Sequence, residues 1–255
     1  MLLALDAGNT NLTLGLYEDE KLGSRWRLAT DHERMPDEYG LQIISLLQHA
    51  GFSPEQLDGI CLSSVVPPLT GRLVKACKYY LQQEPFLVSH LTTTNIRLLV
   101  DEPASLGADR IADTVAVGHL YGGPACVIDF GTATTFNIVS QEGDYLGGAI
   151  APGVGIASEA LYQRTAKLPR VDLVAPPSIL GKNTIHQMQA GLVYGYVSMV
   201  EGMVARYRQV QGDELKVIAT GGLAELISAH TDCIQILAPW LTLDGLRIIW
   251  EMNHK

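Results

Sequence analysis

Two aspartates carry the strongest chemical signal in this chain, because each ends an apolar run and precedes a glycine by two positions. The first stretch is Asp6-Ala7-Gly8-Asn9-Thr10 and the second is Asp129-Phe130-Gly131-Thr132. Such a pattern favours a strand, a tight turn and a returning strand, whose N–H groups and small hydroxyls bind phosphate oxygens. The carboxylate beside each turn can hold a cation. Two such turns that face each other could bind a nucleotide between them. The alternative interpretation is that they are two ordinary β-hairpins.

The same pattern occurs twice along the chain. With one inserted residue after the first glycine, the match continues to Leu22-Gly23 and Leu146-Gly147. This repeat predicts a duplicated α/β fold in which each half has the order βββαβα. The predicted domains are residues 1–118 and 119–255.

The composition indicates a globular protein and argues against several kinds of partner. Of the 255 residues, 47% are hydrophobic and 18% are charged, which suits one large domain or two small ones. The net charge of −9 leaves no basic surface for nucleic acid. Neither a signal peptide nor an apolar stretch of the ~18 residues needed to span a membrane is present. We therefore expect a soluble, intracellular protein with reduced cysteines.

Periodicity and turn residues predict the remaining elements. The expected helices lie at 36–50, after Pro67-Pro68, from about Leu106, after Gly155, from Asn183 or Thr184 to about Arg208, at 223–230 and at 242–252. Apolar runs at 57–66 and 215–219 are typical of buried parallel strands. Short strands are predicted at 86–88 and 234–237.

A second candidate for chemistry is the start of the helix that follows Pro103. Helix N–H groups together with Arg110 could hold a substrate carboxylate, while Asp109 could accept a hydroxyl proton. A first-turn acid beside a surface arginine is the alternative explanation. Asp113, one turn further along, is the competing candidate base.

Two glycine-rich stretches also follow predicted strands. Residues 147–153 have no bulky side chain before Ile150, so a ligand could approach the backbone, and Thr220-Gly221-Gly222 precedes a helix start suited to a nucleotide. Either stretch could be a plain turn. A P-loop, a protein-kinase motif set and a dinucleotide fingerprint are all missing from the sequence.

Taken together, these motifs closely resemble type III pantothenate kinase over nearly the whole chain. The resemblance rests on Asp6-x-Gly-Asn-Thr10, Gly107-Ala-Asp-Arg110, Asp129-Phe-Gly-Thr-Ala-Thr-Thr135, residues 147–153 and Thr220-Gly-Gly222. It implies the duplicated actin/hexokinase/Hsp70-like (ribonuclease H-like) fold. It also implies a cytoplasmic transferase that phosphorylates pantothenate with ATP and Mg²⁺, in the first step of coenzyme A biosynthesis. Val100 departs from the family pattern, since many members have an aromatic residue there.

The resemblance also implies roles for individual residues. Asp109 would be the catalytic base, Asp129 would bind a monovalent cation (K⁺ or NH₄⁺), and Thr132 would contact ATP. The first ATP-binding turn would comprise Asp6, Ala7, Gly8, Asn9, Thr10, Asn11, Leu12 and Thr13. Pantothenate would bind Gly107, Ala108, Asp109, Arg110 and Thr184. The family's homodimer would place this pocket near the subunit interface, and the apolar residues of the long helix after Asn183 agree with a dimer.

Three other interpretations remain open at this point. A kinase of the same fold could act on another small hydroxy acid. A nucleotide-binding regulatory or accessory protein would lack a working Asp109, and a non-catalytic interaction module would need neither Asp6 nor Asp129.

Overall fold

Contacts within the computed structural model, which describes residues 1–254, divide the chain into two units. The first unit comprises Met1–His119 together with the closing helix, and the second comprises Leu120–Trp240. Each unit is built around its own five-stranded sheet.

The first unit begins with three antiparallel strands and continues with alternating helices and strands. Its elements are β1 Leu2–Ala7, β2 Asn11–Glu18, β3 Lys21–Ala29, α1 Pro36–His49, β4 Gly59–Ser64, α2 Pro67–Tyr80, β5 Phe86–Leu87 and α3 Ala108–Leu120. The sheet order is β3-β2-β1-β4-β5, with β4 parallel to β1. Leucines of one face of β1 and β2 pack with α1 and α2 in a fully buried core. Asp6 lies on the other face of the sheet, where its register partners are Thr13 of β2 and Ser63 of β4.

The second unit repeats this arrangement. Its elements are β6 Ala125–Phe130, β7 Ala133–Val139, β8 Tyr145–Pro152, α4 Val154–Arg164, α5 Thr184–Gln211, β9 Lys216–Thr220, α6 Ala224–Ser228 and β10 Ile236–Leu237. The sheet order β10-β9-β6-β7-β8 is the order of the first sheet with equivalent strands in equivalent places. Asp129 is paired with Thr135 and Thr220, as Asp6 is with Thr13 and Ser63.

The last helix, α7 (Leu241–His254), groups with the first unit. Its Asp244 accepts a hydrogen bond of 2.7 Å from the hydroxyl of Tyr17 in β2. Two glycines permit close packing, since a Cβ at Gly245 would collide with the backbone of Ala112 and one at Gly59 would collide with Trp250. This grouping differs from the predicted division at residue 118, which left the end of the chain with the second domain. Only tertiary packing, which no local pattern reports, decides where such a helix goes.

The predicted duplicated α/β fold is confirmed. The short strands predicted at 86–88 and 234–237 are observed as β5 and β10, and they give each sheet a fifth strand that the βββαβα order leaves out. The two helices predicted after the third strand of the second unit are observed as α4 and α5. No helix within residues 1–254 is both long enough and apolar enough to cross a membrane.

Candidate functional site

The first turn, residues 8–11, is held by a small set of hydrogen bonds. Gly8 N donates to Asn11 O at 2.9 Å, which closes the turn. Thr30, just after β3, donates from its hydroxyl to Gly8 O at 2.7 Å and from its N–H to Thr10 O at 2.9 Å. Asn9, Thr10 and Asn11 are exposed. The turn is therefore fixed in shape while it presents an amide, a hydroxyl and a second amide side chain to solvent.

The predicted ATP-binding residues on either side of this turn differ in whether their side chains could contact a ligand. The side chains of Ala7 and Leu12 are fully buried, so only their backbone groups could contact a ligand. Asp6 and Thr13 are half-buried register partners on the sheet face opposite the leucine core.

Two residues, Gly107 and Val65, connect Asp109 to the end of β1. Val65, the residue after β4, donates from its N–H to Ala7 O at 3.1 Å. A Cβ built on Gly107 would lie 3.2 Å from Val65 Cγ1 and would collide with Asp109 Oδ1. Gly107 thus lets the Asp109 carboxylate fold back over the helix start, next to the strand that ends in the first turn.

The environment of Asp109 suits a base. Burial raises the pKa of Asp109 above the usual value for an aspartate, although a hydrogen bond from Arg110 N at 2.7 Å and the positive charge of Arg110 lower it. A carboxylate with a raised pKa is a stronger proton acceptor, as general base catalysis requires.

Asp113, the competing candidate, has a different environment. It is 2% exposed and accepts a hydrogen bond of 2.8 Å from the hydroxyl of Thr242 in α7. This arrangement joins two helices inside the first unit, so the geometry favours Asp109 as the base and gives Asp113 a structural role.

In the second unit, two glycines border the carboxylate of Asp129. A Cβ at Gly131 would lie 3.3 Å from Asp129 Oδ2, and one at Gly221 would collide with Asp129 Oδ1. Gly221 also has a φ of +91°, a conformation that residues with a side chain rarely adopt. These two positions therefore keep side-chain atoms away from the half-buried carboxylate.

The second turn, residues 131–133, is tied to the end of β8. Gly153 N donates to Thr132 O at 3.1 Å, and a Cβ at Gly153 would collide with that carbonyl. A Cβ at Gly148 would collide with the carbonyl of Phe136 in the neighbouring strand. These two glycines of the 147–153 stretch therefore permit close packing of the backbone.

Thr184 lies in the first turn of α5. Asn183 caps this helix, since its side chain accepts a hydrogen bond of 2.9 Å from His186 N. Thr184 itself is exposed and available to a ligand.

Sequence reasoning missed Ser63 and Val65. Both lie at the carboxyl end of a parallel strand next to the strand that carries Asp6, where ligands of open α/β sheets bind. The apolar run 57–66 predicts the strand, but it gives no signal that the carboxyl end of the strand forms part of a site. Across residues 1–254, no three His, Cys, Asp or Glu side chains come together as a metal-binding group.

A family model described as type III pantothenate kinase matches residues 2–206. The chain belongs to the type III pantothenate kinase family. A type III pantothenate kinase from Roseiflexus sp. (strain RS-1) is 51% identical over 255 residues, covering 100% of both chains. One from Moorella thermoacetica (strain ATCC 39073 / JCM 9320) is 48% identical over 253 residues, covering 99% of this chain and 100% of the relative.

Solved structures show that this type III pantothenate kinase family member has the predicted fold. Component A of (R)-2-hydroxyglutaryl-CoA dehydratase from Acidaminococcus fermentans is 14% identical, with a TM-score of 0.60 over 100% of this chain and 99% of that one. The inorganic polyphosphate/ATP-glucomannokinase from Arthrobacter sp. strain KM is 14% identical, with a TM-score of 0.54 over 99% of both chains. These likenesses show an actin-like and sugar-kinase fold.

Proposed function

We propose that this protein catalyses the ATP-dependent phosphorylation of pantothenate to 4'-phosphopantothenate, the first step of coenzyme A biosynthesis. Membership of the family supports this activity. The observation that carries the proposal is Asp109, a carboxylate with a raised pKa at the start of α3. There Gly107 lies close to Val65, which is hydrogen-bonded to Ala7 at the end of β1.

The chemistry needs positioning and charge compensation more than covalent participation. Backbone N–H groups and polar side chains of residues 6–13, together with Thr132, would hold the phosphates of ATP, which brings its own Mg²⁺. Arg110 and the N–H groups at the start of α3 would hold the pantothenate carboxylate. Asp109 would accept the proton of the primary hydroxyl as its oxygen attacks the γ-phosphorus, and ADP would leave.

Asp129 is proposed as the residue that holds a monovalent cation, K⁺ or NH₄⁺. The residues fit such an ion, because the Asp129 carboxylate lies between two glycines, so no side chain at those two positions competes with a ligand for its oxygens. A monovalent cation can take its remaining ligands from backbone carbonyls and water, so a cluster of acidic side chains is not required. The ion would offset phosphate charge near the second turn.

A homodimer is also proposed, through the part of α5 that the chain itself leaves exposed. The sequence indicated that one apolar face of this helix packs on its own domain and that the remainder meets a partner. Six apolar residues of α5 are buried within the single chain, namely Met188, Leu192, Val193, Val197, Val200 and Val204. Three of them, Val197, Val200 and Val204, belong to the apolar core of the second unit. Tyr196 donates its hydroxyl to Pro152 O at 2.8 Å. The exposed face carries a shallow groove of about 440 Å³ along Gly191, Gly195 and Ser198. Small residues there would let a second helix approach closely, and sedimentation at micromolar concentration would show a stable monomer if the proposal is wrong.

We further propose that Thr184 contacts pantothenate and that the protein works in the cytoplasm. The decisive experiment incubates purified protein with ATP, Mg²⁺, K⁺ and a panel of small hydroxy acids, and detects products by mass. Pantothenate should gain one phosphate, and pantothenyl alcohol, which lacks the carboxylate for Arg110, should be a poor substrate. If another acid is phosphorylated and pantothenate is not, the named reaction is wrong while phosphoryl transfer survives. If ATP is bound and no acid reacts, an accessory protein is indicated.

A further inference from the structure

Each of the two aspartates is the centre of a row of three side chains across its sheet. In the first unit the row is Thr13, Asp6 and Ser63, on β2, β1 and β4. In the second unit the row is Thr135, Asp129 and Thr220, on the equivalent strands β7, β6 and β9. Register partners in a sheet point to the same face, so each carboxylate has a hydroxyl on both sides.

The hydroxyl on the fourth strand is the more protected of the two in each row. Ser63 is 0% exposed and Thr220 is 3% exposed, whereas Thr13 and Thr135 are half-buried. The Ser63 Oγ has no hydrogen-bond partner in the structure. A buried polar atom without a partner costs about 1–3 kcal/mol, so its presence calls for an explanation.

Apolar packing does not explain the hydroxyl of Ser63. Its neighbour Leu62 belongs to the leucine core of the first unit, and so does Leu5 next to Asp6. Because side chains alternate along a strand, Ser63 and Asp6 share the opposite face. The neighbour of Ser63 in its row is therefore the carboxylate of Asp6, which the proposed function places next to ATP.

We propose that Ser63 and Thr220 are positioning residues for Asp6 and Asp129, respectively. When the cation arrives, each hydroxyl donates to one carboxylate oxygen and leaves the other oxygen for the cation or its water. Ser63 would act on the Mg²⁺ that accompanies ATP, and Thr220 on the monovalent cation. This inference rests on the proposed function for the identity of the ligands.

The chain offers a matched control in Thr134. Its Oγ1 is likewise buried without a partner, and it lies next to Thr135. It is the register partner of Phe130, which belongs to the apolar core of the second unit, so it points away from the face of Asp129. A substitution there removes the same kind of hydroxyl without touching the row.

The test measures binding of the Mg²⁺ complex of a non-hydrolysable ATP analogue by calorimetry, with and without K⁺, together with the melting temperature. Ser63→Ala should weaken binding at both K⁺ levels by roughly tenfold, the lower range for removing a residue that orients a metal ligand. Thr220→Val should weaken it only where K⁺ is present. Ser63→Thr and Thr220→Ser keep a hydroxyl at each position, so each should bind with most of the affinity of the unaltered protein. Thr134→Val should bind as the unaltered protein does.

Thermal stability separates positioning from a structural role. Since the Ser63 hydroxyl has no partner in the ligand-free state, Ser63→Ala should melt at the same temperature or higher. A lower melting temperature with unchanged nucleotide affinity would overturn the proposal, and so would equal losses for Ser63→Ala and Thr134→Val. If the protein binds nucleotide in this pattern but does not phosphorylate pantothenate, the positioning roles stand and the proposed reaction fails.

Discussion

The two turns share one scaffold, yet they differ in what surrounds the aspartate. Both follow a strand that ends in Asp-x-Gly, and both are tied to the end of the third strand of their sheet, through Thr30 in one case and Gly153 in the other. After the register partner of the aspartate on the fourth strand, however, the first unit has Ser64 and Val65, whereas the second has Gly221 and Gly222.

Because of this difference, the two turns are suited to different ligands. The first turn is one residue longer and exposes Asn9, Thr10 and Asn11, which are suited to phosphate oxygens. The second turn presents fewer side chains, and two glycines border the carboxylate of Asp129, which is suited to a cation. The same strand arrangement thus surrounds both aspartates, and the residues beside them differ in the way that the two proposed ligands would require.

The largest expected effect concerns Asp109, the proposed base. Asp109→Asn keeps the shape of the side chain and removes the proton acceptor, so kcat should fall by roughly 10²–10⁴ with nucleotide affinity little changed. Asp113→Asn is the control, and it should lower thermal stability through its contact with Thr242 while turnover stays within a few-fold. The opposite result would move the catalytic role to Asp113.

The pH dependence follows from the same carboxylate. Burial raises the pKa of Asp109, so the acid limb of kcat/KM should lie above ~3.9, the ordinary value for aspartate. A group whose pKa is higher in the folded state stabilises the fold at low pH and loses that contribution as the pH rises. Asp109→Asn should therefore raise the melting temperature at neutral pH while activity is lost.

The next prediction tests whether crowding beside the carboxylate of Asp129 lowers activity. Gly221→Ala would press a methyl group against Asp129 Oδ1 and the backbone of Phe130, and it should reduce turnover by on the order of 10–100-fold, because small displacements in an active site are costly. Gly212→Ala is a matched control: Gly212 also has a φ of +91°, but nothing lies within 4 Å of its Cβ position. If both variants lose activity equally, backbone strain and not crowding is responsible.

The turns themselves could be predicted from the sequence because their signal is local. Asp, Gly and Thr at fixed spacing between apolar runs specify a strand, a turn and a returning strand, and the spacing also revealed the duplication. The cap of α5 at Asn183 was predictable for the same reason.

Features that depend on packing between distant segments could not be predicted. No local pattern indicates that α7 returns to the first unit, or that the space at Gly148 is filled by a neighbouring strand. The apolar residues of α5 predicted a buried face, but periodicity does not tell whether the unit itself or a second copy covers it. Ser63 escaped notice because serine at a strand end carries no signal until the partner strand is known.

A smaller effect concerns the salt in the assay. Activity should be low in sodium or Tris buffer and should rise on adding potassium or ammonium, because the ion offsets phosphate charge beside Asp129. Asp129→Ala should flatten this response and weaken ATP binding by about tenfold, equivalent to about 1.4 kcal/mol. Asp6→Ala, the matching change in the first turn, should weaken ATP while any remaining activity still responds to potassium. Equal rates in all of these salts would count against a cation site.

The smallest effect on activity concerns α7, the C-terminal helix that groups with the first unit. Tyr17→Phe removes the hydroxyl that donates to Asp244 and leaves a half-buried carboxylate without that donor, which should cost about 1–3 kcal/mol of stability. The control is Tyr80→Phe, since the hydroxyl of Tyr80 donates to Asp37 at 2.6 Å in an exposed pair, where such contacts contribute little. Denaturant unfolding should separate the two variants, with kcat nearly unchanged in both. Equal stability losses would mean that α7 is held by its apolar contacts and its close glycine packing, and that the Tyr17 hydrogen bond adds nothing specific to the first unit.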